Sequence, residues 1–367
     1  ATMGSQQAAQ TAAKEPALAS QAKHPASSLI WKLRGEEEEQ MKSAKKETLA
    51  NLRPGFPLDI RIGPQVFTFA HMSDTFVVKR IPKRDLFQKA REGIGVEQIF
   101  RQRDAGEAIS HPFVVTCYKA LHDELYAYFI FEFVQGGDVF DLVRREGRVD
   151  ESRTRFIVGC LVAALGYLHS QGWIHRNVSD ENVMIGADGY IKLGNFAHCK
   201  RLECGDRTWT MSFGHVFFCP PEVIKGKGYD HSVDWWALGI LAYSCLVGHP
   251  PFDAAAHVIE ISNQILEKEV RYPSFLSKPT TKLLSGLLDK DATKRLGSGI
   301  TGADDVRQHP WLSSLDWHLL LARRIQSPFI VRVQDRMDTH YFDEIGSRDH
   351  RRPERITSRE QEQFNDF

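Results

Sequence analysis

Short β-rich runs, "QVFTFAHM", "TFVVKRI" and the longer "LYAYFIFEFV", fill the first part of the chain with aromatic and β-branched residues. They predict the strands of a small sheet-rich unit. After Gly136-Gly137 the pattern changes. Between Ser152 and Gln171 the apolar residues Phe156, Ile157, Val158, Leu161, Val162, Leu165 and Leu168 leave almost no polar face, which predicts a core helix stopped at Gly172. "VDWWALGILAYSCLVG" and "KLLSGLLDK" read the same way, so the second unit is mainly helical. Ahead of the sheet, Glu38 and Lys42 stand four apart in the favourable order, and Met41, Thr48 and Leu52 share one side. This predicts a solvent-exposed helix within 36–53 that Pro54-Gly55 ends. Beyond Trp311 a tail, 313–367, runs on with extended character to "QFNDF".

Composition narrows the setting. Residues 1–35 open with an Ala-, Gln- and Lys-rich stretch that buries too little apolar surface to offset ordering, so disorder is expected there. Lys plus Arg and Asp plus Glu are equal at 47 each, which leaves no global basic field to attract nucleic acid or an anionic membrane. Runs such as Phe129-Ile130-Phe131 are far too short to span a bilayer, and the start carries no hydrophobic signal core. The expectation is an intracellular protein, cytoplasmic or nuclear, with no nucleic acid partner and no membrane insertion. Met3-Gly4-Ser5 is similar to the opening of a myristoylation signal, but Ala8 stands where Ser or Thr is required, and no lipid is expected. The six cysteines, 117, 160, 199, 204, 219 and 245, lack metal-ligand spacing and are expected to be reduced thiols.

Several segments in order resemble a eukaryotic protein kinase, and in detail the AGC group and the catalytic subunit of cAMP-dependent protein kinase. They are "FEFVQGGDVFDLVRREGR", "LGYLHSQGWIHRNVSDENVMI", "GYIKLGNFAHCKRL", "RTWT", "GYDHSVDWWALGIL", "DATKRLGS" and "SPFIVRV". The resemblance implies an α+β bilobal kinase fold over 54–312, with a β-rich small lobe at 54–134, a helical large lobe at 138–312 and an AGC-type tail over 313–367. Function has to be read from the site, because one fold hosts many functions.

Phosphoryl transfer needs a loop over the phosphates, a lysine on them, a glutamate holding that lysine, metal-binding Asp and Asn, and a base. In place of the family's glycine-rich loop, "RIGPQVFTFAHMSDTFVVK" offers only Gly63 and is about six residues short of the family's span. Lys79 matches the strand lysine that contacts ATP, although a lysine at a strand end is equally a structural residue. Gln102 stands where the family has the helix glutamate, with Glu97 an alternative in a shifted register, and Gly93 and Gly95 weaken the helix start. Asn177 replaces the catalytic aspartate, and an amide takes no proton near neutral pH. Ser179 replaces the catalytic-loop lysine. Asn182 matches the second-metal ligand, while Asn195 of Asn195-Phe196-Ala197 replaces the metal-binding Asp and offers one neutral oxygen. Glu132, Val134 and Met184 match positions around the nucleotide base, and Val77 and Phe131 add volume there.

Other matches are structural. "FGHVFFCPPEV", Phe213 to Val223, has a rewritten middle but keeps Pro221-Glu222, and Arg295 matches the arginine that pairs Glu222. Asp234 matches a buttress of the catalytic loop. Thr210 matches the activation-loop phosphosite, with Arg176 and Lys200 as its basic receptors, though it also reads as an ordinary loop threonine. Asp138 and Glu181 match acids that meet substrate arginines, Ser244 replaces a third, and solvated helix ends explain the first two equally well. Phe342-Asp343 resembles the tail segment over the cleft, and Phe364 and Phe367 resemble the aromatics that dock the tail on the small lobe. The resemblance therefore implies a pseudokinase acting as a regulatory or scaffolding module in cyclic-AMP signalling. Its implied partner is a regulatory subunit, contacted near Trp209, or another kinase. The alternative is a divergent serine/threonine kinase of weak activity, and a third reading is nucleotide binding without chemistry. No cofactor is expected in the first reading; ATP and Mg2+ belong to the others.

Overall fold

The fold comes from a computed structural model that describes residues 39–47, 49–53, 61–63, 65–89, 95–203, 205–210, 215–252, 257–342 and 353–367. The expectations for residues 1–38, Thr48, Pro54-Gly55, Gly93, Cys204, Phe213-Gly214 and Asp343 lie outside them. The chain builds a β-sheet small lobe and a helical large lobe, the α+β bilobal arrangement that the resemblance implies. Helix α1 covers 39–47. Strands β1 (Arg61–Gly63), β2 (Val66–His71) and β3 (Asp74–Pro82) lead into helices α2 (Lys83–Lys89) and α3 (Glu97–Ala108), then β4 (Cys117–His122) and β5 (Tyr126–Glu132). The five strands form one antiparallel sheet in the order β1-β2-β3-β5-β4.

The large lobe begins with α4 (Val139–Glu146) and α5 (Glu151–Ser170). Short strands β6 (Trp173–Ile174), β7 (Val183–Ile185), β8 (Ile191–Leu193) and β9 (Lys200–Arg201) pair as β6-β9 and β7-β8. Helices α6 (Pro221–Ile224), α7 (Ser232–Val247), α8 (Val258–Glu267), α9 (Lys278–Leu287), α10 (Ala303–Arg307) and α11 (Trp317–Leu321) follow, and α12 (Ser358–Glu362) lies in the tail. Helix α5 starts where the Asp150 carboxylate accepts from Ser152 N and Arg153 N, and α7 ends at Gly248 in the left-handed region. A side chain at Gly248 would meet the Gly147 carbonyl at 2.0 Å, so glycine is required there. Buried side chains on all sides of α5 and α7, including Trp235 and Trp236, make the large-lobe core. Each fully buried large apolar side chain contributes about 1.5–3 kcal/mol.

The first helix corrects one expectation. Met41 faces solvent at 54 % exposure, whereas Lys42 is 1 % exposed and Leu49 joins Phe69, Phe76, Val78 and Ile130 in the small-lobe core. The Lys42 Nζ donates to the carbonyls of Gly106, Glu107 and Ile109 at 2.8, 3.2 and 2.8 Å, where α3 ends. A helix C-terminus leaves carbonyls unpaired and carries partial negative charge, so an ammonium satisfies both at once. Lys119 returns the arrangement, donating to Leu49 O and Ala50 O at 2.7 and 3.0 Å. Apolar periodicity is blind to a lysine buried this way. Lys42→Met is expected to lower stability by about 1.5–3 kcal/mol in chemical denaturation, because three carbonyls lose a charged donor. A loss under 0.5 kcal/mol, the range of an ordinary surface change, would mean that α3 does not depend on this contact.

Candidate functional site

The strand lysine and its expected partners sit on a rigid frame. Lys79 lies on β3, with Phe129 of β5 and Val66 of β2 as its neighbours across the sheet. Val66 of β2 pairs directly with Gly63 of β1. That pairing leaves two positions between the strands, fewer than the Gly-x-Gly-x-x-Gly pattern of the family occupies. Gln102 sits on the inner face of α3 at 2 % exposure, and its Nε2 has no hydrogen-bond partner among the described residues. Glu97 does not substitute for it. Its side chain is 89 % exposed and pairs with Arg101 of the same helix.

The loop that follows β6 is held from below by Asp234, at the start of α7. Its carboxylate accepts from His175 N at 2.9 Å, Arg176 N at 2.8 Å and His169 Nε2 at 2.8 Å. Burial pushes this carboxyl up, but the His169 and backbone hydrogen bonds outweigh it and hold it below the ordinary value. The His175 ring bonds Gly194 O at 3.0 Å and lies edge-on to Phe196, and burial pushes its pKa down to about 4.

Asn177, Ser179 and Asn182 are all buried on this loop. The Asn182 Nδ2 donates to Asn177 O and to Ser179 Oγ, each at 2.9 Å. Its Oδ1 accepts from Asn195 Nδ2 at 2.9 Å. Asn195 itself is in the left-handed region at φ 60°, and its buried Oδ1 has no hydrogen-bond partner among the described residues. The two positions that would hold a metal therefore bond each other. Mg2+ prefers charged oxygens, and here one amide oxygen is already used by an N–H donor while the other is neutral. Among the described residues no group of three His, Cys, Asp or Glu side chains is arranged to hold a metal. The residues present do not fit this cation.

At the lobe junction the Glu132 carboxylate accepts from Thr116 N at 2.7 Å and from Lys192 Nζ at 2.9 Å on both oxygens. This ion pair joins β5 to β8 across the two lobes, a link no motif pointed to. Val134 is buried, Met184 is half-buried on β7, and Phe133 packs its ring on Phe342 at 5.7 Å. Val77 and Phe131, paired across β3 and β5, are also half-buried.

The activation-segment cluster differs in one contact from expectation. Arg176 Nη1 reaches Thr210 Oγ1 at 2.6 Å, but Lys200 Nζ bonds Thr208 Oγ1 at 2.7 Å, with the two threonine oxygens 3.2 Å apart. Tyr229 completes the cluster, donating to Thr210 O at 2.5 Å. The lysine stops at Thr208 because that threonine is buried where the Thr208–Tyr229 bridge forms, while Thr210 is exposed. Asp138 caps α4 through Asp141 N, and burial raises its pKa to about 6. Glu181 bonds His215 at 3.0 Å, and Ser244 is buried in α7. Five of the cysteines are described, all buried and free.

Below the site the Glu222 carboxylate takes both ends of Arg295, at 2.7 and 2.9 Å. Arg295 also donates to Ser232 O and Asp289 O and stacks on Trp236 at 5.2 Å. In the tail, Phe364 is fully buried among Phe87, Phe100 and His122, and Phe367 packs edge-on against Phe100 and Phe129.

The sequence pattern of the family described as "Protein kinase domain" matches residues 65–312, more than half of the chain. The chain belongs to this family. The kinase domain is homologous to catalytic subunits of cyclic-nucleotide-dependent kinases. It is 35 % identical to "cAMP-dependent protein kinase catalytic subunit 3" of Drosophila melanogaster over 272 residues, 74 % of this chain and 46 % of that protein. Against "cAMP-dependent protein kinase catalytic subunit" of Dictyostelium discoideum identity is 38 %, over 68 % of this chain and 38 % of the relative. Against the human "cAMP-dependent protein kinase catalytic subunit PRKX" it is 33 %, over 74 % of this chain and 75 % of the relative. The chain thus spans less than half the length of the first two relatives.

Proposed function

We propose that this kinase domain is impaired in phosphoryl transfer and works through protein contacts, as a regulatory or scaffolding module in cyclic-nucleotide signalling. The observation that carries the reading is the hydrogen bond from Asn195 Nδ2 to Asn182 Oδ1, which occupies the two metal-ligand positions with each other. The direct Gly63–Val66 pairing of β1 and β2, the buried Gln102 amide and Asn177 at the base position support it. Positioning and charge neutralisation supply most of this reaction, and parts that act as a unit fail as a unit. Meanwhile Asp234, Glu222 and Arg295 retain the contacts that hold the large lobe together. Trp209, 65 % exposed and braced on Gly228, is the aromatic anchor such a module would present. A regulatory subunit of the cyclic-nucleotide type, or another kinase, is the proposed partner, met in the cytoplasm or nucleus.

Nucleotide binding tests the reading. Thermal shift and a fluorescent ATP analogue, at millimolar nucleotide with and without Mg2+, are expected to show no metal-dependent binding. Binding that requires Mg2+ overturns the account of Asn195. A second reading, a serine/threonine kinase of weak activity, is favoured by Lys79 on β3 and by the Arg176–Thr210 contact, where a phosphate on Thr210 would meet a guanidinium. Metal-dependent binding together with transfer to a Ser/Thr peptide would establish it, and binding without transfer would leave ATP as a structural ligand.

A further inference from the structure

The C-terminal segment is fastened to the small lobe by a polar contact beneath its aromatic rings. Lys83, the first residue of α2, is fully buried, and its Nζ stands 3.9 Å from the centre of the Phe364 ring. The same ammonium bonds Gln361 Oε1 of α12 at 3.1 Å and His122 Nδ1 at 3.0 Å. His122, at the end of β4, touches the segment directly as well. Its ring lies 5.9 Å from Phe364 and 6.0 Å from Phe367 and shares a hydrogen bond with the Phe364 backbone. An ammonium only donates, so Nδ1 must be the unprotonated nitrogen for this contact to exist.

We propose that His122 makes the hold on the C-terminal segment sensitive to protonation: its neutral ring accepts from Lys83 under Phe364, and an added proton breaks that contact. A proton on Nδ1 would set two donors and two positive charges 3.0 Å apart. Lys83 would then leave its place over the Phe364 face and beside Gln361, and two contacts to the segment would go with it. The surrounding charges do not cancel the effect. Asp123 is the acid beside the pair, and its carboxylate is already bonded by Leu125 N, Tyr126 N and Tyr128 Oη. On α3, Arg103 lies over Phe100 and Phe367 and donates to Asp366 O. The pairs Arg84–Glu354 and Arg355–Glu124 lie at the rim.

The titration runs in one direction. Burial and then Lys83 lower the His122 pKa from 6.5, and burial lowers that of Lys83 to about 8, with Asp123 opposing. Burial beneath the docked segment disfavours the charged His122 ring, so on this proposal docking weakens as pH falls through the range where that ring charges. Around neutral pH and below, His122 is the one of the two whose charge changes. Its contribution is fully present above 6.5 and is lost as pH falls toward its docked value. One linked proton lowers the docking constant by up to about tenfold per pH unit.

A fluorinated phenylalanine at position 367 of the full chain, followed by 19F NMR, reads the docked and free fractions. The docked fraction is expected to hold from neutral pH down to 6.5 and to fall as the pH drops further. His122→Gln, which keeps an acceptor that does not titrate, is expected to stay docked throughout; His122→Lys is expected to be released throughout. In the natural sequence the His122 ring should titrate lower than in Phe364→Ala, a comparison that needs no change at His122. The proposal is overturned if the docked fraction holds while the ring charges, if His122→Gln releases on acidification as the natural chain does, or if Phe364→Ala leaves the ring's titration where it was.

Discussion

Glu222→Ala is expected to destabilise the protein by about 3–5 kcal/mol, the usual loss when one partner of a buried ion pair is removed. The Arg295 side chain is fully buried, and its guanidinium would keep only Ser232 O, Asp289 O and the Trp236 face. The charge itself would have no counterion in contact. For a kinase-sized domain each kcal/mol moves the melting temperature by roughly 2–4 °C, so a fall on the order of 10 °C is expected in a thermal scan. The pair joins α6 to the segment after α9, so the large lobe should lose cooperativity with it. Replacing both partners separates the contact from the orphaned charge. Glu222→Leu with Arg295→Met should recover part of the loss, because hydrophobic pairs of similar volume often replace buried ion pairs at little penalty. A single-variant loss under about 1 kcal/mol, the size of an exposed ion pair, would show that the pair does not anchor the lobe.

That anchor was legible in the sequence because both residues keep their type at fixed places in ordered motifs. The strands and the two core helices were legible for a related reason, since continuous apolar runs have few ways to be buried. Legibility failed where polar groups satisfy one another across long separations. Lys42 looked like a solvent-facing helix residue, and only the carbonyls at the end of α3 explain its burial. The Lys192–Glu132 pair joins residues whose neighbours in sequence say nothing of the contact. Lys200 matched a receptor of Thr210, but it meets Thr208, a distinction set by which threonine the chain turns inward. The substitutions at Asn177, Gln102 and Asn195 were readable as lost charges. That Asn195 and Asn182 close on each other was not, because a hydrogen bond between side-chain amides on two short loops depends on their packing.

Asn195→Asp tests that closure, and two opposing effects are expected from it. An ionised carboxylate has no N–H to give Asn182 Oδ1, so two acceptors would face each other across the present 2.9 Å contact. The protein without metal should lose about 1–3 kcal/mol, the penalty of a buried polar group left unpaired. The same change frees the Asn182 oxygen and adds a charged one beside it, the start of the hard oxygen set that Mg2+ or Mn2+ accepts. Millimolar divalent cation should therefore raise the melting temperature of the variant while leaving the natural sequence unmoved. On the reading proposed above, no phosphoryl transfer should appear even with Asn177→Asp added, because Gln102 still brings no charge to Lys79. Transfer recovered by the pair of substitutions would mean that the cleft is otherwise intact, and that the two amides alone silence it. Equal stability of variant and natural protein without metal would mean that the Asn195–Asn182 hydrogen bond does not hold the site closed.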